Sequence, residues 1–419
     1  MKKLFRVLTV TLMPFCAAIL AAVVFFAGSM PGQFNVTGEE KLALDGMVTV
    51  AEQRTLSGQA AQASGALPGD MYTVSLQLFG IIPVKTASVK VVDTTMVVPC
   101  GTPFGIKMFT DGVLVVGMSD VDITTGLYNP AKSAGMKLGD VIEAIEGQPV
   151  MMKEDVAAAV EKSGGKTLTF RIRRDNIVFD IRFTPVKSVN ENRYKAGLWV
   201  RDSSAGIGTM TFYMPGRGVC AGLGHPVCDV DTGEALPISG GEVVPAQIYD
   251  VTKGLSGQPG ELRGGFENGT LGVLQINGAT GVYGTLAAAD KRAALPDESG
   301  AMPVAMKQQV KSGYAQVLCT VDGMEPKLYD IRIDQVRYKD ASPTRNIVVT
   351  ITDPELLAKT GGIVQGMSGS PIIQDGRLAG AVTHVFVNDP TKGYAIFAEN
   401  MLKTAESVEQ TNAPLAGAA

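Results

Sequence analysis

The residues with the clearest chemical potential are Gly366-Met367-Ser368-Gly369-Ser370-Pro371. A serine between glycines suits a nucleophile. Its oxygen must stand clear of its own backbone. The amides of Ser368 and of Gly366, two residues before it, must converge on one spot to hold the oxyanion of a tetrahedral intermediate. Gly366 lets the chain turn inward, and Gly369 leaves room for an approaching peptide. Pro371-Ile372-Ile373-Gln374 and Arg377 to Thr383 then read as two strands joined by the hairpin turn Asp375-Gly376. A tight Gly/Ser turn between ordinary strands would have the same signature, so the partners of Ser368 must decide.

A nucleophilic serine needs a base, and the chain has only 2 histidines. His225 ends the run Val219-Cys220-Ala221-Gly222-Leu223-Gly224-His225-Pro226, after a strand from Gly206 to Tyr213 and the turn Pro215-Gly216-Arg217-Gly218. Strand, turn, strand and an exposed histidine is how trypsin-like enzymes place their base. His384 lies in the apolar run Ala381 to Phe386, where a lone histidine is usually a satisfied structural residue. His225 is therefore the expected base. The third member should be a carboxylate that fixes the imidazole tautomer. Asp229 and Asp231 lie too near His225 along the chain to fold back onto it. Asp353 ends the β-branched strand Val348 to Thr352, ahead of Pro354, from which its carboxylate could project. An aspartate before proline is equally a helix or turn cap.

Long stretches of the chain resemble the stage IV sporulation protein B peptidases of endospore-forming bacteria. The resemblance is carried by Gly361 to Ile373, Gly380 to Pro390, Gly206-Ile207-Gly208-Thr209 and Leu223-Gly224-His225. It implies a triad on the histidine of Leu-Gly-His, the aspartate of Thr-Asp-Pro and the first serine of Gly-Met-Ser-Gly-Ser-Pro. These are His225, Asp353 and Ser368, with Gly366 and Ser368 as the oxyanion hole. Asp353 is much nearer the serine in sequence than in ordinary trypsin-like enzymes, so the intervening topology must differ.

A second module is visible upstream. Asn129 to Val150 resembles the core of a PDZ domain, with Gly139 at a turn, Val141, Ile142 and Ile145 in the core and Glu146-Gly147 at a hairpin. Glu154 to Lys162 carries Val156, Ala159 and Val160 at helical spacing, which suits a groove-lining helix. Lys166 to Arg173 and Phe179 to Thr184 would be its last strands. Gly101-Thr102-Pro103-Phe104-Gly105-Ile106 looks like the loop that captures a peptide carboxylate, with Gly101, Phe104, Gly105 and Ile106 as peptide-binding residues. The alternative is a PDZ fold used as a spacer.

At the N-terminus Lys2, Lys3 and Arg6 precede an apolar run from Val7 to Ala27. It approaches the length of a membrane span, about 20 residues, and the basic flank places the N-terminus in the cytoplasm and the rest outside. A cleaved signal at Ala27-Gly28-Ser29 is the alternative. Thr55 to Pro68 is small and polar and reads as a linker. Val74 to Phe79 and Ala87 to Val92 look like strands of a small N-terminal region. The 5 cysteines do not make a disulfide scaffold in 419 residues. Cys220 and Cys228 could bridge or be free thiols. A zinc site from Cys220, His225 and Cys228 lacks a fourth ligand. A formal net charge of -4 argues against a nucleic-acid partner.

The expected fold is mainly β: a membrane anchor (1–28), a linker and small β region (29–94), a PDZ domain (95–187), a trypsin-like double-barrel peptidase (188–403) and a flexible tail (404–419). The resemblance implies a self-cleaving, membrane-anchored serine endopeptidase. It needs no metal or cofactor and acts between the forespore and mother-cell membranes. Its implied substrates are its own stretch between anchor and PDZ domain, and the extracytoplasmic part of a membrane protein that restrains an intramembrane metalloprotease. Cutting that restraint would allow processing of a late sporulation sigma factor. Two other functions fit parts of the sequence. One is a non-enzymatic PDZ adaptor, against which the intact serine motif speaks. The other is an envelope quality-control protease of the high-temperature-requirement type, which places PDZ domains after the protease, not before.

Overall fold

The computed structural model describes residues 2–38, 40–44, 46–55, 67–287, 295–339 and 342–408, with the backbone alone described at 2–12 and 52–55. The apolar N-terminal run is helical, α1 (Lys2–Ser29). Among the described residues, no helix is long and apolar enough to cross a membrane. The C-terminal end of α1 packs Ala22, Val23 and Phe26 on a four-stranded sheet, Gln33–Thr37, Ile82–Val92, Met71–Leu78 and Val48–Thr55 in that order. The strand Met71–Leu78 buries Tyr72, Val74, Leu76 and Leu78 at every second position, so one face of the sheet makes the core. Most of the expected linker, 56–66, lies outside the described residues.

Two rings of strands follow. In the first, β1 (Pro103–Met118) pairs on one edge with β2 (Leu198–Met214) and on the other with β4 (Ile238–Thr252). The pairings continue from β4 to β5 (Gly272–Gly278), β6 (Gly281–Leu286), β3 (Val219–Gly222) and back to β2, closing the ring. Phe104, Ile106, Met108, Met210, Leu223, Val243, Leu274 and Val282 belong to one core cluster there. The second ring is a closed barrel of β7 (Gly313–Cys319), β8 (Lys327–Val336), β9 (Ile347–Ile351), β12 (Asp389–Phe397), β11 (Arg377–Phe386) and β10 (Pro371–Gln374). Its strands alternate as half-buried strands must: Ala315, Val317 and Cys319 of β7 are buried while Gln316 and Leu318 are less so. The turn between β10 and β11 is the one the sequence implies, with Asp375 at φ 50 and Gly376 at φ 71.

The PDZ-like strands Val141–Ile145, Leu168–Arg174 and Ile177–Phe183 join the same sheet through Val113 and Leu114 of β1. The helix α2 (Lys153–Lys162) buries Val156 and Val160 against them. Asp140 is fully buried, held by Arg174 Nε at 2.6 Å and Nη2 at 2.7 Å and by the Lys137 amide at 2.8 Å. These bonds offset the cost of burying a charge.

Two expectations are corrected. Gly101 to Ile106 is not a peptide-capturing loop. Phe104, Gly105 and Ile106 pair with Gly208, Ile207 and Gly206 on one side and Pro245, Val244 and Val243 on the other. No edge is left for strand addition. Gly101 meets Leu318, and a Cβ on Gly105 would stand 2.5 Å from Val244, so both glycines serve close packing in and beside the first ring. The second correction concerns the tail. The chain past residue 403 continues in α4 (Ala398–Ala405), and Leu402, Ala405 and Val408 are buried in the seam between the rings.

Candidate active site

The serine loop lies between α3 (Pro354–Thr360) and β10, against the first ring. Thr209 of β2 donates its amide to the Ser368 carbonyl at 3.0 Å and its hydroxyl to the Gly366 carbonyl at 2.8 Å. The Thr211 hydroxyl donates to the Gly369 carbonyl at 2.7 Å. Gly366 has φ 96 and Gly369 φ 97, backbone that favours glycine. A Cβ on Gly369 would stand 2.0 Å from the Thr209 carbonyl and 2.5 Å from the Leu223 amide nitrogen. The serine loop thus presses on the segment that leads into His225, and only glycine allows the approach.

The loop amides divide into two sets. Met367, Gly369 and Ser370 donate theirs to Val364, Val382 and Met367. Among the described residues, the amides of Gly366 and Ser368 donate to no protein group. Two amides two residues apart, left over in a folded loop beside a serine, are what an oxyanion hole requires. The Ser368 hydroxyl donates to the Thr383 carbonyl at 2.9 Å. Ser370 is fully buried, and its hydroxyl has no partner among the described residues.

His225 is half-buried in the loop after β3. Its Nδ1 lies 2.8 Å from the Pro226 carbonyl. A carbonyl only accepts, so Nδ1 carries the hydrogen and Nε2 keeps its lone pair. Burial pushes this imidazole below its ordinary pKa. His384 on β11 directly follows Thr383, the acceptor of the serine hydroxyl. Its ring lies 5.1 Å from that of His225, tilted by 40°. Burial, His225 and Arg345 bring the His384 pKa down to about 4, and its buried Nδ1 has no partner among the described residues. His384 is therefore not the satisfied core histidine expected from its apolar run. The register of β11 with β12, which puts His384 opposite Tyr394, is a long-range fact the sequence does not announce.

Asp353 stands apart. Its Oδ1 accepts from the amides of Glu355 at 2.9 Å and Leu356 at 3.0 Å, and its Oδ2 from Asp330 at 3.3 Å. It is the N-cap of α3, and no contact joins it to His225. The structure thus brings Ser368, Gly366, His225 and His384 together and leaves Asp353 out. Asp229 and Asp231 bind Arg201 instead. No disulfide joins Cys220 to Cys228, the first buried and the second exposed. No group of three or more metal-binding side chains occurs among the described residues.

A different stretch occupies the position expected of a peptide groove. A cavity of about 610 Å³ runs between α2 and the segment Tyr194 to Val200, lined by Val156, Val160, Gly197, Leu198 and the exposed Trp199. Leu198 and Val200 pair with β1 on one side. Among the described residues no strand pairs with the other side.

The family model of the SpoIVB peptidase S55 matches residues 192–402, and that of a PDZ domain matches residues 129–174. No curated protein matches. Among solved structures, an HtrA-type protease, AlgW, solved with a decapeptide, is 15% identical with a TM-score of 0.28 and covers 49% of this chain. The chain spans about half the length of that structure, 54%. The first of these matches takes in both histidines, the serine loop and both leftover amides, and the chain belongs to the SpoIVB peptidase S55 family.

Proposed function

We propose that the chain hydrolyses peptide bonds by acyl transfer through Ser368. The observation that carries this is the pair of unpaired amides, Gly366 and Ser368, around a serine pressed against the His225 loop. Ser368 Oγ attacks the carbonyl carbon. His225 Nε2 takes the hydroxyl proton and returns it to the leaving amine, and water then releases the acyl group by the same route. The two amides hold the oxyanion; in the observed conformation the Pro226 carbonyl keeps Nδ1 protonated, the task that Asp353 takes over in the working one. Asp353 is the carboxylate that the family motif assigns to the imidazole. In the observed conformation it caps α3, the serine hydroxyl is turned to Thr383 and Nδ1 to Pro226. Each of the three is satisfied by a local bond. We read this as a latent arrangement, in which catalysis requires these bonds to be exchanged for bonds among Ser368, His225 and Asp353.

The proposed setting follows the family. The enzyme acts outside the cytoplasm, between forespore and mother-cell membranes. It cuts itself between α1 and the PDZ module and then cuts the extracytoplasmic part of a membrane protein that restrains an intramembrane metalloprotease. The N-terminal sheet lies on the peptidase, through Asn35 Nδ2 to Glu399 at 2.7 Å and Arg377 Nη2 to Glu40 at 3.0 Å, which keeps that stretch within reach of its own chain. The groove between α2 and Leu198 to Val200 would take an extended peptide by strand addition. The test is Ser368→Ala in the full chain. Loss of self-cleavage and of peptide hydrolysis, with the fold intact, is expected. Undiminished processing by the variant overturns the assignment.

A further inference from the structure

Residues 201 and 202 lie between the groove and the histidine loop and hold both. β2 is irregular at this point. Its register with β1 shifts between Trp199 and Val200 and again between Arg201 and Ser203. Such bulges re-aim side chains out of the ladder. Arg201 stays paired with Leu114 of β1, and its side chain reaches two carboxylates of the loop after His225. Its Nη1 pairs with Asp229, and its Nη2 lies 2.8 Å from Asp231. The Asp229 side chain is fully buried, and its other oxygen accepts the amides of Asp231 at 3.0 Å and Thr232 at 2.9 Å. An ion pair whose carboxylate is buried and hydrogen-bonded differs from one between two exposed groups, since removing the arginine strands the buried charge.

The neighbouring residue faces the other way. Asp202 accepts the amide of Lys153 at 2.9 Å, at the first turn of the groove helix α2. The neck of the histidine loop is tied by a side chain of β5. Asn277 binds the Val227 amide at 2.8 Å and the carbonyls of Val227 at 2.8 Å and Leu236 at 3.0 Å. At its tip, the Glu234 carboxylate packs beside Gly139 of the PDZ module. One bulge therefore connects the helix that lines the groove with the loop that carries His225.

We propose that Arg201 is a positioning residue for His225, and that with Asp202 it couples the α2 groove to the histidine loop. This rests on His225 being the base of the proposed reaction. Opening the groove to admit a strand moves α2 against β2. Asp202 carries that movement to the bulge, and Arg201 carries it to Asp229. The coupling is reciprocal: whatever fixes the histidine loop also fixes the groove.

The test uses the full chain carrying Ser368→Ala for spectroscopy and the otherwise native chain for kinetics. With 2 histidines in the sequence, the imidazole signals can be assigned by His384→Gln alone. Arg201→Met should broaden and shift the His225 signal and move its pKa up toward the ordinary value, because the released loop is better hydrated. It should lower kcat on a peptide substrate on the order of 10-fold to 100-fold at unchanged KM, the cost of a misplaced base. Arg201→Lys should recover part of both. Asp202→Ala, which removes the acceptor of the Lys153 amide and touches nothing in the loop, should still shift the His225 signal. A folded Arg201→Met with the native His225 signal, pKa and kcat overturns the positioning role, and a silent Asp202→Ala overturns the coupling. If Arg201→Met does not fold, Asp231→Ala decides. It removes one arm of the clamp at a half-exposed site and should give a smaller change of the same sign, and no change overturns the proposal. A wild-type chain without peptidase activity would overturn the proposed reaction, while the His225 signal still decides the positioning role.

Discussion

Asp353 has two jobs that one pair of substitutions separates. As N-cap of α3 it accepts two amides of the first turn on one oxygen and the Asp330 amide on the other. Losing a cap costs about 1 kcal/mol, and the Asp330 bond adds about another 1 kcal/mol. Asp353→Ala should thus lower stability by about 2 kcal/mol. Asp353→Asn keeps one acceptor oxygen for the two cap amides but turns its NH2 toward Asp330, so it gives up that bond, about 1 kcal/mol, and the charge at the helix N-terminus, about 0.5 kcal/mol. The catalytic effect should be far larger. An amide in place of the carboxylate cannot hold the imidazole in the working tautomer, and kcat should fall on the order of 10⁴, about 5.4 kcal/mol of transition-state stabilisation. Urea unfolding and turnover of one peptide by both variants provide the assay. Asp353→Asn at the wild-type rate would remove Asp353 from the chemistry and leave it a cap. Asp353→Ala as stable as the wild type would remove the cap.

Gly369→Ala should abolish turnover and destabilise the seam between the rings, because its Cβ would fall 2.0 Å from the Thr209 carbonyl. A folded, active variant would contradict the packing described here. The unfolded imidazole takes its proton near pH 6.5 but folded His384 only near about 4, so its contribution to stability is whole above pH 6.5 and falls as the pH drops from there toward 4. His384→Gln should flatten that part of the stability curve, measured by denaturation at several pH values. Since His225 is also depressed, the acid limb of kcat/KM should have its midpoint below 6.5, and a midpoint above it would speak against His225 as the base. Ala157→Arg, on the groove side of α2, should impair cleavage of a protein target while sparing a short peptide. Equal effects on both would return the groove to the spacer role.

Local chemistry was legible in the sequence wherever it depends on a few adjacent residues. The serine loop, the Asp375-Gly376 turn and the helix at Lys153–Lys162 all come from turn glycines or apolar spacing. What escaped depends on pairing between distant strands. Gly101 to Ile106 has the composition of a carboxylate loop. Its fate was decided by β2 and β4, which lie over a hundred residues away along the chain and occupy both edges of Phe104 to Ile106. The segment that borders the groove, Tyr194 to Val200, falls after the PDZ-like stretch and carries no local sign of its role. His384 was misjudged for the same reason. An apolar neighbourhood in sequence said nothing of the His225 ring that β-pairing brings beside it. The cap at Asp353 was visible as an alternative, and local geometry chose it.

The proposed reaction stands on Ser368 being a nucleophile activated by His225. The direct measurement is to treat the full chain with a serine-directed fluorophosphonate and map the adduct by mass spectrometry. A single adduct on Ser368, lost in His225→Ala and retained in His384→Gln, is predicted. An adduct on another residue, or labelling of Ser368 that is indifferent to His225 and lost with His384, would contradict it.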